Sequence, residues 1–501
     1  MNYYLSIDAG TSIVKVVIFD LNFKVVFIKS INNNVITNTK GKSEINMEKF
    51  WLITSQCIDE CIKKSKINPK KILSVGITGN MVGAWPVNFK NKPTRNAILW
   101  NDTRSEEIFN SLKRKNKKIF EEIFKISGSV VQYGCTLPVL KWLDKFEKKT
   151  LLKTKYFLTC KDWIRFKLTN EFNNDYTERS VSPGDIKKTG FSLDIFELLK
   201  LNPKYIKKFP KIKKSDEIGG YVTLSASKKT GLIAGTPVAV GAGDVPSTAI
   251  GVGAVKNGIC SSIVGTTCHN YLVSNKPIFK PKNTGLLFYS PNNQWLRTMI
   301  NVAGTTNFDW VIANFYKDKI KKLTKQKIIK DFEKKFQKYN IDNNQIIFLP
   351  YFNYGGSISP FFNLKAKAEI FGLQPHHSGD DILFASYQGL AMAIKDCYNG
   401  LEVKLKNLFL SGGASYSKLF PQILSDVLGI KIYIPEGEEF GARGAAYLAS
   451  IAISKNKNLE NLVKFNQKIK KIHYPNKKNY HYYSLKFGKY LELRKQLNNI
   501  W

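Results

Sequence analysis

The chain has 501 residues, 43% of them hydrophobic, which is ample for a buried core and too long for one ordinary domain, so two large domains are expected. Lysine and arginine number 77 against 39 acidic residues, a formal net charge of +38, but the basic residues come in short runs along the whole chain (113–118, 204–214, 317–335). That spread argues against the single basic face a nucleic-acid-binding protein needs, and no stretch approaches the ~20 apolar residues of a membrane span.

Tyr3 to Ile7 reads as a buried strand, Asp8-Ala9-Gly10-Thr11-Ser12 as a turn, and Val14 to Phe19 as the returning strand. Val25 to Ile28 forms a third strand after a turn at Leu21-Asn22. The N-terminus enters this pattern at once, without the order of segments that marks a signal peptide. Gly10 lets backbone approach a ligand, Thr11 and Ser12 add hydroxyls, and the turn amides suit an anion. Asp8 suits Mg2+ held through water, with Lys15 as a cation beside the phosphates. An ordinary tight hairpin with a capping aspartate has the same residues, so this segment alone leaves both readings open. Met47 to Lys66 follows with apolar residues at helical spacing, including Phe50, Ile53, Cys57, Cys61 and Ile62.

Val238 to Val240 is an apolar strand that runs into Gly241-Ala242-Gly243-Asp244-Val245-Pro246. A carboxylate on a glycine-rich strand end is placed to take a proton from a hydroxyl; equally, Asp244 would cap a helix opened by Pro246. Ile259 to Val264, Gly265-Thr266-Thr267 and Tyr271 to Val273 repeat the opening strand, turn and strand. Two Gly-Thr turns, one per half, would clamp a polyphosphate from both sides. The repeat lies in turn chemistry alone.

Asp381 to Leu401 is a further helix. Leu408 to Leu410 is a strand ending in Ser411-Gly412-Gly413-Ala414-Ser415, before a helix over 417–428. Such a turn lets a flat ring or a phosphate rest on bare backbone, although it is neither a Walker loop nor a Rossmann fingerprint. After about Ser454 the chain turns rich in Lys, Asn and Tyr and reads as a peripheral tail. Its 7 cysteines are scattered, with no Cys-x-x-Cys pair, and no zinc spacing appears with 5 histidines. Free thiols in a reducing, cytoplasmic compartment are expected.

The order of these segments resembles the FGGY carbohydrate kinase family. The markers are Ser6-Ile7-Asp8-Ala9-Gly10-Thr11-Ser12, Gly76-Ile77-Thr78-Gly79-Asn80-Met81, Ala97 to Arg104, Gly241-Ala242-Gly243-Asp244, Gly265-Thr266-Thr267, Phe348-Leu349-Pro350-Tyr351, Ser411 to Ser415 and Gly441 to Ala446. The resemblance spans roughly residues 3 to 453. It implies an α/β fold of two ribonuclease H-like domains of the actin and hexokinase type, with ATP and a small sugar in the cleft between them. The expected divisions are 1–248, 249–455 and a peripheral tail, 456–501.

The resemblance further implies Asp244 as catalytic base, and Asp8, Gly10, Thr11 and Ser12 facing the phosphates and Mg2+. Gly265, Thr266 and Thr267 would meet the phosphates from the second domain, beside a turn at Gly304-Thr305-Thr306. Gly412, Gly413 and Ala414 would flank adenosine. Asn80, Met81, Trp100, Asp102 and Arg104 match acceptor-pocket segments; their alternatives are core packing for Trp100 and a structural ion pair for Asp102 with Arg104. A homodimer is common in the family.

Three departures bear on substrate. D-xylulose kinases carry Met-His where this chain has Met81-Val82, glycerol kinases carry Arg-Glu there, and the family's Gly-Glu-Arg is here Gly355-Gly356-Ser357. A pocket of Met81, Val82 and Trp85 points away from D-xylulose and glycerol, towards another ketopentose such as L-xylulose or a polyol such as erythritol. Two competing readings remain: a non-catalytic nucleotide or sugar sensor, and a nucleic-acid binder suggested by charge alone.

Overall fold

The structure, a computed structural model, describes residues 1–38, 41–301, 303–336, 345–352, 356–363 and 365–501. The first sheet starts with β1 (Tyr3–Ala9), β2 (Ile13–Phe19) and β3 (Val25–Asn32), antiparallel neighbours in chain order. Helix α1 (Met47–Ser65) follows, capped by Asn46, whose side chain accepts the Lys49 amide. β4 (Ile72–Gly79) lies parallel to β1, and its run of buried residues is what a strand covered on both faces requires. Helices α2 (Cys160–Thr169) and α3 (Tyr176–Ser180) precede β5 (Ile218–Tyr221) and β6 (Pro237–Ala239), and the sheet order is β5-β6-β4-β1-β2-β3.

Helix α4 (Asp244–Gly251) leads to the second sheet. Its strands are β7 (Cys260–Val264), β8 (Cys268–Ser274), β9 (Leu286–Ser290) and β10 (Gln294–Asn301). Beyond α5 (Thr306–Phe315) and α6 (Gly379–Asn399) come β11 (Asn407–Ser411), α7 (Phe420–Leu428), β12 (Lys431–Pro435), α8 (Phe440–Ile453), β13 (Ile469–His473) and α9 (Lys477–Leu497). The order is β9-β10-β8-β7-β11-β12-β13. In both sheets an antiparallel hairpin is followed by two parallel strands and an antiparallel edge. The repeat that sequence carries only in its turns therefore extends to this strand core, with one further strand beyond the hairpin in the first sheet and two in the second.

Helix α8 lies between β12 and β13 of the second sheet in sequence but packs on the first. A Cβ added to Gly76 of β4 would lie 2.2 Å from the Ala445 carbonyl oxygen, and Ser74 Oγ donates to the Ala449 carbonyl at 3.0 Å. α8 also crosses α4 at close range: a Cβ on Gly444 would lie 1.8 Å from the Ser247 oxygen, and one on Gly251 1.9 Å from the Phe440 oxygen. Arg443 Nε and Nη2 donate to the Gly251 carbonyl at 2.8 and 2.6 Å, closing the end of α4. The glycines and arginine of the 441–446 segment thus serve this crossing.

The reading of 456–501 as a peripheral tail is corrected. β13 forms the edge of the second sheet, and α9 packs on α6 and α7. Tyr483, Phe487 and Tyr490 enter the second core. Tyr490 OH meets Tyr351 OH at 3.1 Å, and Arg494 pairs with Asp396 at 2.8 Å. The physical reason is an aromatic stripe at helical spacing; burial of such side chains stabilises by roughly 1.5–3 kcal/mol each. Among the described residues no helix is long and apolar enough to cross a membrane.

Candidate active site

The site residues of the first sheet sit at the C-terminal ends of its parallel strands, where open α/β sheets bind ligands. Asp8 is the last residue but one of β1 and is paired in register with Thr78 of β4 and Lys15 of β2. The turn Gly10 to Ser12 needs a bare backbone: a Cβ on Gly10 would lie 2.8 Å from the Ile13 oxygen. Asn33 Nδ2 pins the turn by donating to the Thr11 carbonyl at 3.0 Å. Asn80, next in line after β4, donates both its amide and its Nδ2 to the Ala9 carbonyl, and its buried Oδ1 has no partner among the described residues.

Asp244 opens α4, with Gly243 as the capping residue. Its Oδ1 accepts the Val245 amide at 2.8 Å. The capping alternative of the sequence therefore fails in detail, because Asp244 lies inside the first turn. Gly241 has φ +76, and a Cβ there would lie 2.0 Å from the Ile77 oxygen, so glycine sets the close approach of this segment to β4. A Cβ on Gly243 would lie 2.4 Å from the Met81 side chain. The segments of Asp244 and Met81 are thus in direct contact.

Burial pushes the Asp244 carboxyl up to about 7, helped by the negative charge of Asp8 and opposed by the Val245 hydrogen bond. Asp8 is pushed up to about 6, by burial first; Lys15 pulls it down and Glu439 pushes it up. Two carboxyls that repel each other titrate as a pair. A carboxyl whose native pKa exceeds its unfolded value near 4 binds its proton more tightly when folded. Its contribution is fully present at low pH and is lost as pH rises through the native value. In chelator, without nucleotide, Asp244→Asn is therefore expected to raise the melting temperature at pH 8 and leave it little changed at pH 4.5. The difference should be on the order of 1–2 kcal/mol after screening by cleft water, and denaturant titrations at the two pH values check it.

The second sheet supplies the facing turns. The turn Gly265 to Thr267 joins β7 to β8, as Gly10 to Ser12 joins β1 to β2. Gly304 and Thr305 stack on it, their amides donating to the Thr266 and Gly265 carbonyls at 2.8 and 2.7 Å. Gly412, with φ +83, leaves β11 beside β7, and a Cβ there would lie 2.6 Å from the Val264 oxygen. Around Gly265 and Gly413, by contrast, a Cβ would meet nothing within 4 Å, so the backbone at both turns is uncrowded; Ala414 is buried. Asp8 suits Mg2+, since a hydrated ion needs one or two carboxylates and the Asp8 carboxyl accepts no hydrogen bond among the described residues.

Other expected residues stand differently. Lys15 Nζ is held by both carboxyl oxygens of Glu439 at 2.8 Å, so its charge is committed to α8's leading residue rather than free for phosphate. Asp102 accepts from Ser43 N, Arg104 N, Arg104 Nε and Arg104 Nη2, and Arg104 also reaches Glu44 at 2.6 Å. Both are buried, which is the structural ion pair and not a free acceptor contact. Trp100 is 45% exposed and donates from Nε1 to Thr11 Oγ1 at 3.0 Å, so the core-packing alternative fails. Trp85 is no pocket residue: it is wholly buried in the first core, 5.3 Å from the Phe50 ring. Gly355 lies outside the described residues.

Sequence reading missed Thr177, Glu178, His269, Tyr271 and Glu439. Thr177 Oγ1 accepts the Gly243 amide at 3.0 Å, and Glu178 Oε2 accepts the Val82 amide at 2.9 Å. His269 Nε2 meets Thr267 Oγ1 at 3.1 Å, and burial pushes this histidine down to about 4, leaving it neutral. Tyr271 packs in one cluster with Met81 and Val82, and its phenol is pushed up by burial and then by Asp244, which joins the second sheet to the base.

The family model described as the N-terminal domain of the FGGY family of carbohydrate kinases matches residues 3–251, and that of the C-terminal domain matches 260–453. A Haemophilus influenzae protein named "Probable L-xylulose kinase" is 27% identical over 513 residues, covering 100% of both chains. An erythritol kinase of Brucella abortus is 26% identical over 462 residues, covering 90% of this chain and 87% of that one.

 A Pasteurella multocida protein, also named "Probable L-xylulose kinase", is 26% identical over 464 residues, covering 91% of this chain and 92% of that one. The crystal structure of a ligand-bound xylulose kinase from Lactobacillus acidophilus superposes with a TM-score of 0.90 at 22% identity, covering 99% of this chain and 98% of that one. Two matched domains, two sheets with a shared strand core and the paired turns at their strand ends lead to one conclusion: the chain belongs to the FGGY family of carbohydrate kinases, and is a phosphotransferase that uses ATP to phosphorylate a small sugar or polyol.

Proposed function

We propose that the acceptor is a ketopentose, L-xylulose first among them, and that Asp244 takes the proton from its attacking hydroxyl. The observation that carries the mechanism is the Asp244 carboxyl, held at the start of α4 against Met81 and pushed up to about 7, near the pH at which a base works best. Bound ATP would supply the γ-phosphoryl group, and Mg2+ the charge that screens it. Asp8 would hold the hydrated ion, the Gly10 to Ser12 and Gly265 to Thr267 turns would receive the phosphates, and the Gly412 to Ala414 turn would back the adenosine. Asn80, with its unpartnered Oδ1, and the exposed Trp100 would bind and orient the sugar.

Val82 supports a substrate other than D-xylulose, because it stands where D-xylulose kinases have histidine. The names of the two relatives point the same way, and the erythritol kinase favours a polyol as the second reading. All seven cysteines are buried free thiols, which supports a reducing compartment such as the cytoplasm. The test is ATP consumption by purified protein with Mg2+ across ketopentoses, aldoses, tetritols, glycerol and gluconate. L-xylulose is expected to raise the rate most. Stimulation by erythritol alone would move the assignment to the polyol, and ATP binding without stimulation by any acceptor would favour a sensor.

A further inference from the structure

Val82 has φ +55 and is buried. A β-branched residue in the left-handed region is a true outlier, and it persists only where its surroundings over-determine it. What holds it is one contact from a residue 96 positions away: the Val82 amide donates to Glu178 Oε2 at 2.9 Å. Glu178 is itself wholly buried on α3, and its Oε1 has no partner among the described residues.

Helix α3 is anchored on every side. Asp175, its capping residue, accepts the Thr177 amide and hydroxyl at 2.9 and 2.6 Å and pairs with the buried Lys161 at 2.7 Å. Lys161 also binds Asp162, which pairs with Arg165. The adjacent residue, Thr177, accepts the Gly243 amide just before the base. Neighbouring residues of one short helix therefore hold both lips of the site: Thr177 the Asp244 segment, Glu178 the Met81-Val82 segment. Burial first, then Asp175 and Asp162, push the Glu178 carboxyl well above the usual range against the pull of Lys161, so its use is as a fixed hydrogen-bonding group rather than as a charge.

We infer that Glu178 is a positioning residue for the acceptor: it locks Val82 in its left-handed conformation and so sets the wall, Met81 and Val82, on which the sugar's carbon chain rests. The inference depends on the reading above that residues 80–82 line the acceptor pocket. It assigns Glu178 to sugar recognition and not to ATP.

The test uses Glu178→Asp, which keeps the carboxyl but is one methylene too short for the Val82 amide, alongside Glu178→Gln, which keeps an acceptor of full length. With the best acceptor found for the wild type, Glu178→Asp is expected to raise the sugar KM about tenfold, the loss of one buried hydrogen bond, with ATP KM within about twofold. Glu178→Gln should stay within about threefold of wild type. Adding Val82→Asn to Glu178→Asp should recover much of the sugar KM, because asparagine tolerates φ +55 without being held and keeps a side chain of similar size in the wall. An unchanged sugar KM in Glu178→Asp beside an active wild type overturns the inference alone. So does an equal rise in both KM values that Val82→Asn leaves in place. A wild type that phosphorylates no acceptor overturns the functional reading and this inference with it.

Discussion

Asp244→Asn is expected to cut turnover by about 10²-fold or more while leaving ATP binding close to normal. Asparagine has the size of aspartate and keeps an oxygen for the Val245 amide, so the start of α4 should hold its shape. What goes is the ability to take a proton. The turns proposed for the nucleotide, Gly10 to Ser12, Gly265 to Thr267 and Gly412 to Ala414, keep every residue in this variant. Single-turnover rates with saturating sugar, beside ATP affinity from calorimetry, separate these effects. Near-normal turnover would remove Asp244 from the role of base, and a matched loss of ATP affinity would make it a structural residue instead.

Gly444→Ala is the second large effect. The added methyl would lie 1.8 Å from the Ser247 carbonyl oxygen, a backbone atom with no rotamer to yield. Helices α4 and α8 must move apart, at a cost of about 1–3 kcal/mol for overpacking and more if the backbone cannot relax. Asp244 begins the displaced helix, so kcat/KM is expected to fall along with the denaturation midpoint. Gly488→Ala is the control. It sits within α9, where a Cβ meets nothing within 4 Å, and the gain in helix propensity should stabilise by up to about 1 kcal/mol. Equal behaviour of the two variants would show that the α4–α8 crossing tolerates separation.

The parts legible in the sequence are those whose chemistry is contiguous. Asp8 with Gly10, Asp244 after two glycines, and Gly265 with Thr266 each announce a strand end by turn residues that sit side by side. The missed parts join distant positions. Lys15 and Glu439 are 424 residues apart, and Val82 and Glu178 are 96 apart; no local pattern marks either pair. Asp102 and Arg104 are two positions apart, close enough to pair with each other, and the backbone turn between them makes that the outcome. The C-terminal segment was misread for another reason. Its lysines dominate the average, while the signal lay in the spacing of Tyr483, Phe487 and Tyr490, one face of a helix.

The position of α8 also bears on how the chain is made. The strands of the first sheet are all synthesised by residue 239, yet the helix that covers Tyr4, Val17 and Phe19 on that sheet begins at residue 440. At 5–20 residues per second, the ribosome needs on the order of ten to forty seconds to deliver it. During that interval the nascent first domain holds an open apolar face, to be shielded by chaperones or by the half-made second domain. Assembly of the two domains is thus interlocked: the first cannot be finished until most of the second has been translated.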